Sequence, residues 1–137
     1  MIIIGDADAL IALFLEEDGH YREASKISKY LYSEGNTVIF PNTAIVEAIT
    51  TFQRKFSSPK LASILTDQYM QGIFAVEYID EGVMRSAVDF FNPKGSKKNT
   101  FFDALVAATA KKLNSETIFS FDGWYKKLGF KLASDLK

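Results

Sequence analysis

Residues 2–13 read IIIGDADALIAL, and this stretch decides the fold. The run Ile2-Ile3-Ile4 is short, uninterrupted and β-branched, which is typical of a strand buried on both faces in a parallel sheet. Gly5 ends the run, two acids follow at Asp6 and Asp8, and an apolar pattern of helical period then begins. Ligands bind to open α/β sheets in the crevice at the carboxyl ends of the strands. The stretch therefore predicts that Asp6 lies at a ligand-binding edge.

Strands and helices alternate through the rest of the chain. This order predicts an α/β fold of three layers, with a mainly parallel sheet of four to five strands and helices on both faces. No linker, repeat or low-complexity segment interrupts residues 1–137, so we expect a single domain. The predicted strands are 2–4, 37–40, 73–79, 117–121 and a short one near 130–132. The predicted helices are 9–15, 20–32, 43–55, 59–71, 81–91 and 101–113, with caps at Asn42 or Thr43, Ser58, Asp80 and Thr100.

The composition narrows the possible chemistry. The 137 residues include no cysteine and one histidine, which excludes a thiol nucleophile and argues against zinc–thiolate or histidine-rich metal sites. The net charge of −1 gives no overall attraction to nucleic acid, so binding of a polyanion would depend on local lysines and metal. The first apolar run is too short for a signal peptide, and no stretch approaches a membrane span. A cytoplasmic location fits the absence of cysteine.

Three acids directly follow predicted strands, namely Asp6, Asp80 and Asp122. An aspartate in this position is commonly the N-cap of the next helix, and we interpret Asp80 as a cap. For Asp6 and Asp122 a cap and a ligand-binding role both remain open. Asp8 is either a second acid facing a metal or a first-turn acid that interacts with the helix dipole, and we interpret it as a supporting residue.

Two further acids lie on predicted helices. Glu47 lies off the centre of the buried stripe of its helix, as a solvated glutamate would. The helix begins directly after a strand, however, so its first turns, which include Glu47, overlie the strand ends. Asp103 shares a helical face with Ala107 and Ala110, which allow close approach of a neighbouring element and would bury the acid. A simple interaction of Asp103 with the helix dipole is the alternative.

The combination is more informative than any single acid. Asp6, Glu47, Asp103 and Asp122 are predicted to lie on one rim of a parallel sheet. Clustered carboxylates repel one another and become protonated unless a divalent cation is present. Hard cations such as Mg²⁺ and Mn²⁺ take oxygen ligands, which suits metal-assisted phosphodiester cleavage without histidine or cysteine.

Over nearly its whole length the chain resembles PIN-domain nucleases, and among them the VapC-type toxins of toxin–antitoxin pairs. The resemblance rests on four segments in an order and spacing that suit the family, of which the third is the most specific. They are Ile4-Gly5-Asp6-Ala7-Asp8-Ala9-Leu10-Ile11, Pro41-Asn42-Thr43-Ala44-Ile45-Val46-Glu47, Phe102-Asp103-Ala104-Leu105-Val106-Ala107-Ala108-Thr109-Ala110 and Ser120-Phe121-Asp122.

The resemblance implies a PIN-like fold and a ribonuclease that uses Mg²⁺ or Mn²⁺. By position, it implies that the metal-binding and catalytic acids are Asp6, Glu47, Asp103 and Asp122. Asp8 stands where serine, threonine or asparagine is more usual, and Ser120 fills the hydroxyl position before the last acid. The chain departs from the family pattern at Ala7, where threonine is frequent, and at Trp124, where some members carry a further acid.

The resemblance also implies partners. An RNA substrate, a small antitoxin and a second copy of the chain in a homodimer are expected, whereas a membrane is not. For contacts with RNA phosphates we expect Lys94, Lys97 and Lys98, which precede the Asp103 helix, together with Arg54 and Lys55. A merely solvated loop is the alternative for the three lysines.

Two other functions remain open from the sequence. The pair Asp6 and Asp8 after a hydrophobic strand is similar to the nucleophile and acid–base pair of haloacid-dehalogenase-type phosphatases. The chain is short for that family and has no later acidic pair resembling its metal motif. The second alternative is a catalytically weak PIN scaffold that only binds protein or RNA, although all of the expected acids are present.

Overall fold

The structure is a computed structural model that describes residues 1–136, and Lys137 lies outside the described residues. Strands and helices alternate along the chain as the sequence predicts. The strands are β1 (Ile2–Gly5), β2 (Thr37–Pro41), β3 (Ala75–Glu77), β4 (Thr117–Phe119) and β5 (Lys131–Leu132). The helices are α1 (Ala7–Phe14), α2 (Tyr21–Ser33), α3 (Asn42–Arg54), α4 (Pro59–Met70), α5 (Glu81–Phe90), α6 (Phe101–Lys112) and α7 (Trp124–Lys127), and a 3₁₀ turn covers Ala133–Leu136.

The five strands form one sheet in the order β3-β2-β1-β4-β5. Every neighbouring pair in the described part of the chain is parallel. β1 is central and pairs with β2 on one side and β4 on the other, which explains why its residues Ile3 and Ile4 are fully buried. The predicted parallel sheet is confirmed.

Helices cover both faces of the sheet. Ile3 and Phe119 pack on one face against residues of α1 and α2 such as Ala12 and Ile27. Ile4 and its neighbours on the opposite face pack against α6 and α7. Successive side chains of a strand point to opposite faces, so the Ile3-Ile4 step alone requires two covering layers. The predicted three-layer arrangement is confirmed.

Gly5 allows close packing where β1 ends. A Cβ atom at this position would overlap the ring of Phe40 on the neighbouring strand β2. Phe40 is buried and packs against the residues of α1 and α3 that follow β1 and β2. The glycine therefore lets the two strand ends and their helices pack together at the edge where Asp6 lies.

Two strands are shorter than predicted. β3 covers only Ala75–Glu77, and the apolar residue before it, Ile73, is largely exposed. β4 ends at Phe119 because the next residues bond elsewhere: the N–H of Phe121 donates to the carboxylate of Asp8 instead of to a strand. At both strands, apolar residues continue beyond the hydrogen-bonded segment, so the sequence predicts strands that are too long.

The predicted helix caps are confirmed with one exception. Ser58, Asp80 and Thr100 each accept a hydrogen bond from a backbone N–H in the first turn of the following helix. The expected cap at Asn42 or Thr43 is wrong, since Pro41 precedes α3 without a side-chain cap. The Asn42 side chain instead accepts a hydrogen bond from the N–H of Ile79, and so connects α3 to the segment after β3.

Within residues 1–136, no helix combines the length and the apolar character needed to cross a membrane.

Candidate functional site

Two of the expected acids, Asp6 and Asp122, follow the carboxyl ends of neighbouring strands. Asp6 follows β1, and its N–H donates a hydrogen bond to the carbonyl of Phe119 at the end of β4. Asp122 lies three residues beyond that carbonyl. Asp6 is 4% exposed and Asp103, in the first turn of α6, is 8% exposed, so both are carboxylates in the protein interior.

Asp6 and Asp103 are joined by a tyrosine hydroxyl. The hydroxyl of Tyr125 on α7 donates to Oδ2 of Asp6 at 2.6 Å and lies 3.5 Å from Oδ1 of Asp103. Tyr125 is fully buried in the core between the sheet and α6. The two carboxylates therefore lie on either side of one buried oxygen, although they are separated by most of the chain.

Asp103 and Asp122 are joined by an amide. The side-chain nitrogen of Asn99 donates to Oδ2 of Asp122 at 2.8 Å and lies 3.4 Å from Oδ2 of Asp103. Asn99 ends the lysine-bearing loop before α6, so this contact also fixes that loop against the acids.

Asp8 is held by the residues that precede Asp122. Its Oδ2 accepts hydrogen bonds from the hydroxyl of Ser120 at 2.9 Å and from the N–H of Phe121 at 2.8 Å. The hydroxyl of Ser120 in turn accepts the N–H of Asp122 at 3.0 Å. These bonds tie the first turn of α1 to the segment after β4, across more than a hundred residues of sequence.

Glu47 belongs to the same group electrostatically. Burial, followed by the negative charges of Asp103 and Asp8, raises the pKa of Glu47 to about 7. Asp103 and Asp8 therefore lie near enough to Glu47 to affect its ionisation. Hereafter the acid cluster means Asp6, Asp8, Glu47, Asp103 and Asp122.

Four of these acids also cap a backbone segment, so the cap and the site are compatible. Asp6, Asp8 and Asp122 each use one oxygen for a nearby N–H and the other for the group that links them to the cluster. In Asp103, Oδ2 faces both the N–H of Thr100 and the amide of Asn99, and Oδ1 faces Tyr125. The local bonds run from Ala7 N–H to Asp6, from Ala9 N–H to Asp8, from Thr100 N–H to Asp103 and from Trp124 N–H to Asp122.

The electrostatics of the cluster are unfavourable in the protein alone. Burial raises the pKa of Asp6 well above its usual value, and the charges of Asp8 and Asp103 add to this effect. Burial also raises the pKa of Asp8. Burial and the negative charge of Asp122 raise the pKa of Asp103 to about 6. None of the ion pairs within residues 1–136 involves any acid of the cluster.

The donor set fits a hard divalent cation, because it consists of carboxylates that lack a counter-charge in the described chain. The hydroxyl of Thr43, one helical turn before Glu47, is buried without a hydrogen-bond partner in the part of the chain that the structure describes. Such a group commonly marks a missing water or ion. Within residues 1–136, no three acidic or histidine side chains are arranged to bind one ion directly.

The expected phosphate-binding residues fall into two groups. Lys94, Lys97 and Lys98 are exposed on the loop that ends at Asn99, the residue that donates to Asp122. Arg54 and Lys55 lie at the far end of α3, about 10 Å along the helix axis from Glu47. The loop lysines therefore belong to a segment that is hydrogen-bonded to the acids, whereas Arg54 and Lys55 do not.

Sequence reasoning missed two residues of the site. The aromatic ring of Tyr125 lies in the core, but its hydroxyl reaches two acids. Asn99 lies in the polar loop before α6, and it contacts Asp122 and Asp103. For Asn99 the only available signal was its position next to the Thr100 cap, because its contact with Asp122 depends on the fold.

Known structures with the same fold include VapC toxins. VapC20 of Mycobacterium tuberculosis, described as a toxin that cleaves the sarcin–ricin loop, is 21% identical, with 95% of this chain and 96% of that chain covered and a TM-score of 0.77. FitAcB of Neisseria gonorrhoeae is 17% identical, with 96% of each chain covered and a TM-score of 0.66. VapBC2 of Rickettsia felis, bound to a DNA fragment from its promoter, is 14% identical, with 96% and 97% covered and a TM-score of 0.65.

No curated protein matches the sequence significantly. A family profile does match, and it spans residues 3–131, nearly the whole chain. The resemblance seen in the four sequence segments is thus confirmed at the level of the family. This protein belongs to the PIN domain family.

Proposed function

We propose that this protein is a ribonuclease that requires Mg²⁺ or Mn²⁺, hydrolyses RNA phosphodiester bonds and acts as the toxin of a toxin–antitoxin pair. One observation carries the proposal: the acid cluster contains buried carboxylates with raised pKa values and no cationic partner within residues 1–136. Such a group costs free energy unless a cation binds it, so its presence is best explained by a ligand.

Asp6, Glu47 and Asp103 are the proposed residues that hold one metal ion, directly or through water, and Asp122 completes the site or a weaker second one. A bound divalent cation supplies charge for the scissile phosphate and lowers the pKa of water, so no histidine is needed. Because Asp6 and Asp103 each anchor one oxygen to the backbone, the carboxylates are held in place while their remaining lone pairs stay available.

Asp8 and Ser120 act as supporting residues in this proposal. Both oxygens of Asp8 accept hydrogen bonds from the chain, one from Ala9 and the other from Ser120 and Phe121. These bonds hold the segment after β4 against α1, and this contact fixes the position of Asp122. Asp8 thereby orients the site and adds negative charge to it.

Contacts to the substrate backbone are assigned to Lys94, Lys97 and Lys98. Their loop is attached to the acids through Asn99, so a phosphate held by these lysines would lie near the cluster. RNA as the substrate class is supported by the likeness to VapC20, described as cleaving the sarcin–ricin loop. Contacts from Arg54 and Lys55 require an RNA long enough to extend along α3.

The proposed protein partner is a small antitoxin, in line with the likeness to VapC20 and VapBC2. An apolar groove of about 510 Å³ lies between α1, α2 and the β2–β3 side of the sheet, and its lining includes Phe14, Tyr32 and Ile73. A homodimer is proposed as the state of the free protein.

No observation favours the phosphatase alternative. A phosphatase of that type needs Asp6 and Asp8 as free partners at one phosphate, whereas both oxygens of Asp8 already accept hydrogen bonds from Ser120 and the backbone. A catalytically weak scaffold would not require uncompensated acids, but only measurement of activity excludes it.

The test is cleavage of single-stranded and structured RNA by the purified protein with Mg²⁺, with Mn²⁺ and with EDTA. We expect cleavage that needs the metal and that Asp6→Asn abolishes. The matched control is Asp67→Asn, which removes one exposed carboxylate on α4 outside the cluster and should leave cleavage unchanged. Cleavage that persists in EDTA, or none under any condition, would contradict the proposal.

A further inference from the structure

The hydroxyl of Tyr125 is unexplained by packing. The ring of Tyr125 is buried among Ile4, Val106 and Leu132 and lies edge-on against Trp124. A phenylalanine would fill the same space, and a buried hydroxyl is unfavourable unless it is hydrogen-bonded. Its partners here are Asp6 and Asp103, so the hydroxyl serves the acids and not the core.

The hydroxyl also completes the restraint on Asp6. Oδ1 of Asp6 accepts the N–H of Ala7 at 2.6 Å, and Oδ2 accepts the hydroxyl of Tyr125 at the same distance. With both oxygens held, the carboxylate cannot rotate freely. Each oxygen still has a second lone pair, since an ionised carboxylate offers about four acceptor sites.

The same hydroxyl sets the spacing of two acids. Oδ1 of Asp103 lies 3.5 Å from it, a weak contact beside the 2.6 Å bond to Asp6. The single hydroxyl proton belongs to Asp6, so Oδ1 of Asp103 is the least engaged oxygen of the pair. α7 thus places one neutral oxygen between two carboxylates that would otherwise repel each other.

We propose that Tyr125 is a positioning residue for the metal site: its hydroxyl fixes the Asp6 carboxylate and its distance from Asp103, so that the pair is preset to share one divalent cation. This inference rests on the proposed function. Groups that hydrogen-bond to metal ligands orient them, and their removal typically weakens metal binding by about 10- to 100-fold.

The test measures metal binding directly, so its result does not depend on RNA cleavage. Mn²⁺ is titrated by calorimetry into the native protein, Tyr125→Phe and the control Tyr30→Phe. Tyr30 loses a comparable hydroxyl bond, to the carbonyl of Leu136, away from the acids. We expect Tyr125→Phe to raise the Kd for Mn²⁺ about tenfold or more, whereas Tyr30→Phe leaves it unchanged.

Thermal melting of both variants in EDTA separates positioning from stability. A purely structural hydroxyl would lower the melting temperature and leave the Kd of the folded protein unchanged, which would overturn the inference. Tighter binding by Tyr125→Phe would overturn it as well, because the hydroxyl would then compete with the metal.

A second measurement uses the native protein and does not depend on the folding of a variant. In ¹³C-tyrosine-labelled protein, Mg²⁺ should shift the ring signals of Tyr125 saturably and leave those of Tyr30 in place. No shift at Tyr125 on saturation contradicts the inference alone. Absence of Mg²⁺ and Mn²⁺ binding by the native protein contradicts both this inference and the proposed function.

Discussion

Asp6 and Asp80 have the same local context, since each follows a strand and caps the next helix, yet their pKa values move in opposite directions. The N–H of Val83 and the ammonium of Lys112 lower the pKa of Asp80. Lys112 bonds to both Glu77 and Asp80 at 3.1 Å, and these residues are called the Lys112 cluster below. Burial and neighbouring acids raise the pKa of Asp6. In the Lys112 cluster the fold provides the counter-charge, whereas the acid cluster requires one from outside.

The largest expected effect is a loss of RNA cleavage when one negative charge is removed from the acid cluster. Removal of one charge from the Lys112 cluster is the comparison. Asp103→Asn should reduce metal-dependent RNA cleavage by about 100-fold or more, because a metal ligand contributes several kcal/mol of transition-state stabilisation. The asparagine oxygen can still accept the N–H of Thr100, so α6 should keep its cap. Initial cleavage rates with saturating Mg²⁺ measure the effect.

The matched variant in the Lys112 cluster is Asp80→Asn. Asparagine caps helices about as well as aspartate does, so this variant should fold and cleave RNA at the native rate. Equal activity of Asp103→Asn and Asp80→Asn would show that the two clusters do not differ in function.

The second prediction concerns pH in the absence of metal. Folding holds the pKa of Glu47 at about 7 and that of Asp103 at about 6, against usual values of 4.5 and 3.8. At pH values between the usual and the raised pKa of each acid, the folded protein binds more protons than the unfolded chain. The stability of the folded protein therefore falls as the pH rises. In EDTA, the melting temperature should therefore be lower at about pH 7.5 than at about pH 5.

Saturating Mg²⁺ is the control for this measurement. The ion replaces the protons on the carboxylates and stabilises only the folded state, so the decrease towards pH 7.5 should shrink or vanish. A melting temperature in EDTA that rises over the same interval would contradict the assigned pKa directions.

The smallest effect is expected from Lys112→Met. Exposed ion pairs contribute little to stability, so the midpoint of urea unfolding should decrease only slightly. The Kd for Mn²⁺ should not change, because Lys112 pairs with Glu77 and Asp80 and with no residue of the acid cluster. A large change in metal affinity would mean that the two clusters are coupled.

The local sequence pattern was sufficient to predict the helices, the strands and the acids at the strand ends. An uninterrupted Ile run indicated a central parallel strand, and Ser58, Asp80 and Thr100 indicated three helix starts correctly. The predicted cap at Asn42 was wrong, because the Asn42 side chain accepts a hydrogen bond from the N–H of Ile79, which is far away in the sequence. Local sequence predicts which group can cap a helix but not which distant donor will compete for it.

The composition of the site could be predicted only in part. The acids were expected from their positions, and the structure brings them together, but their roles as metal ligands remain predictions. Tyr125 and Asn99 could not be assigned because their contacts depend on where α7 and the loop before α6 lie relative to β1. Residues that link acids from different elements carry no local signature.

The central position of β1 has a consequence for biosynthesis. β1 is made first, but it pairs with β4, whose residues follow more than a hundred positions later, and the bonds from Ser120 and Phe121 to Asp8 close the same gap. Ordering such a long intervening segment is slow compared with local contacts. A ribosome-bound chain that has not yet released Asp122 and Tyr125 lacks two components of the proposed nuclease centre. In the proposed nuclease, the metal site is therefore complete only after Asp122 and Tyr125 have been synthesised and the segment after β4 has bonded to Asp8.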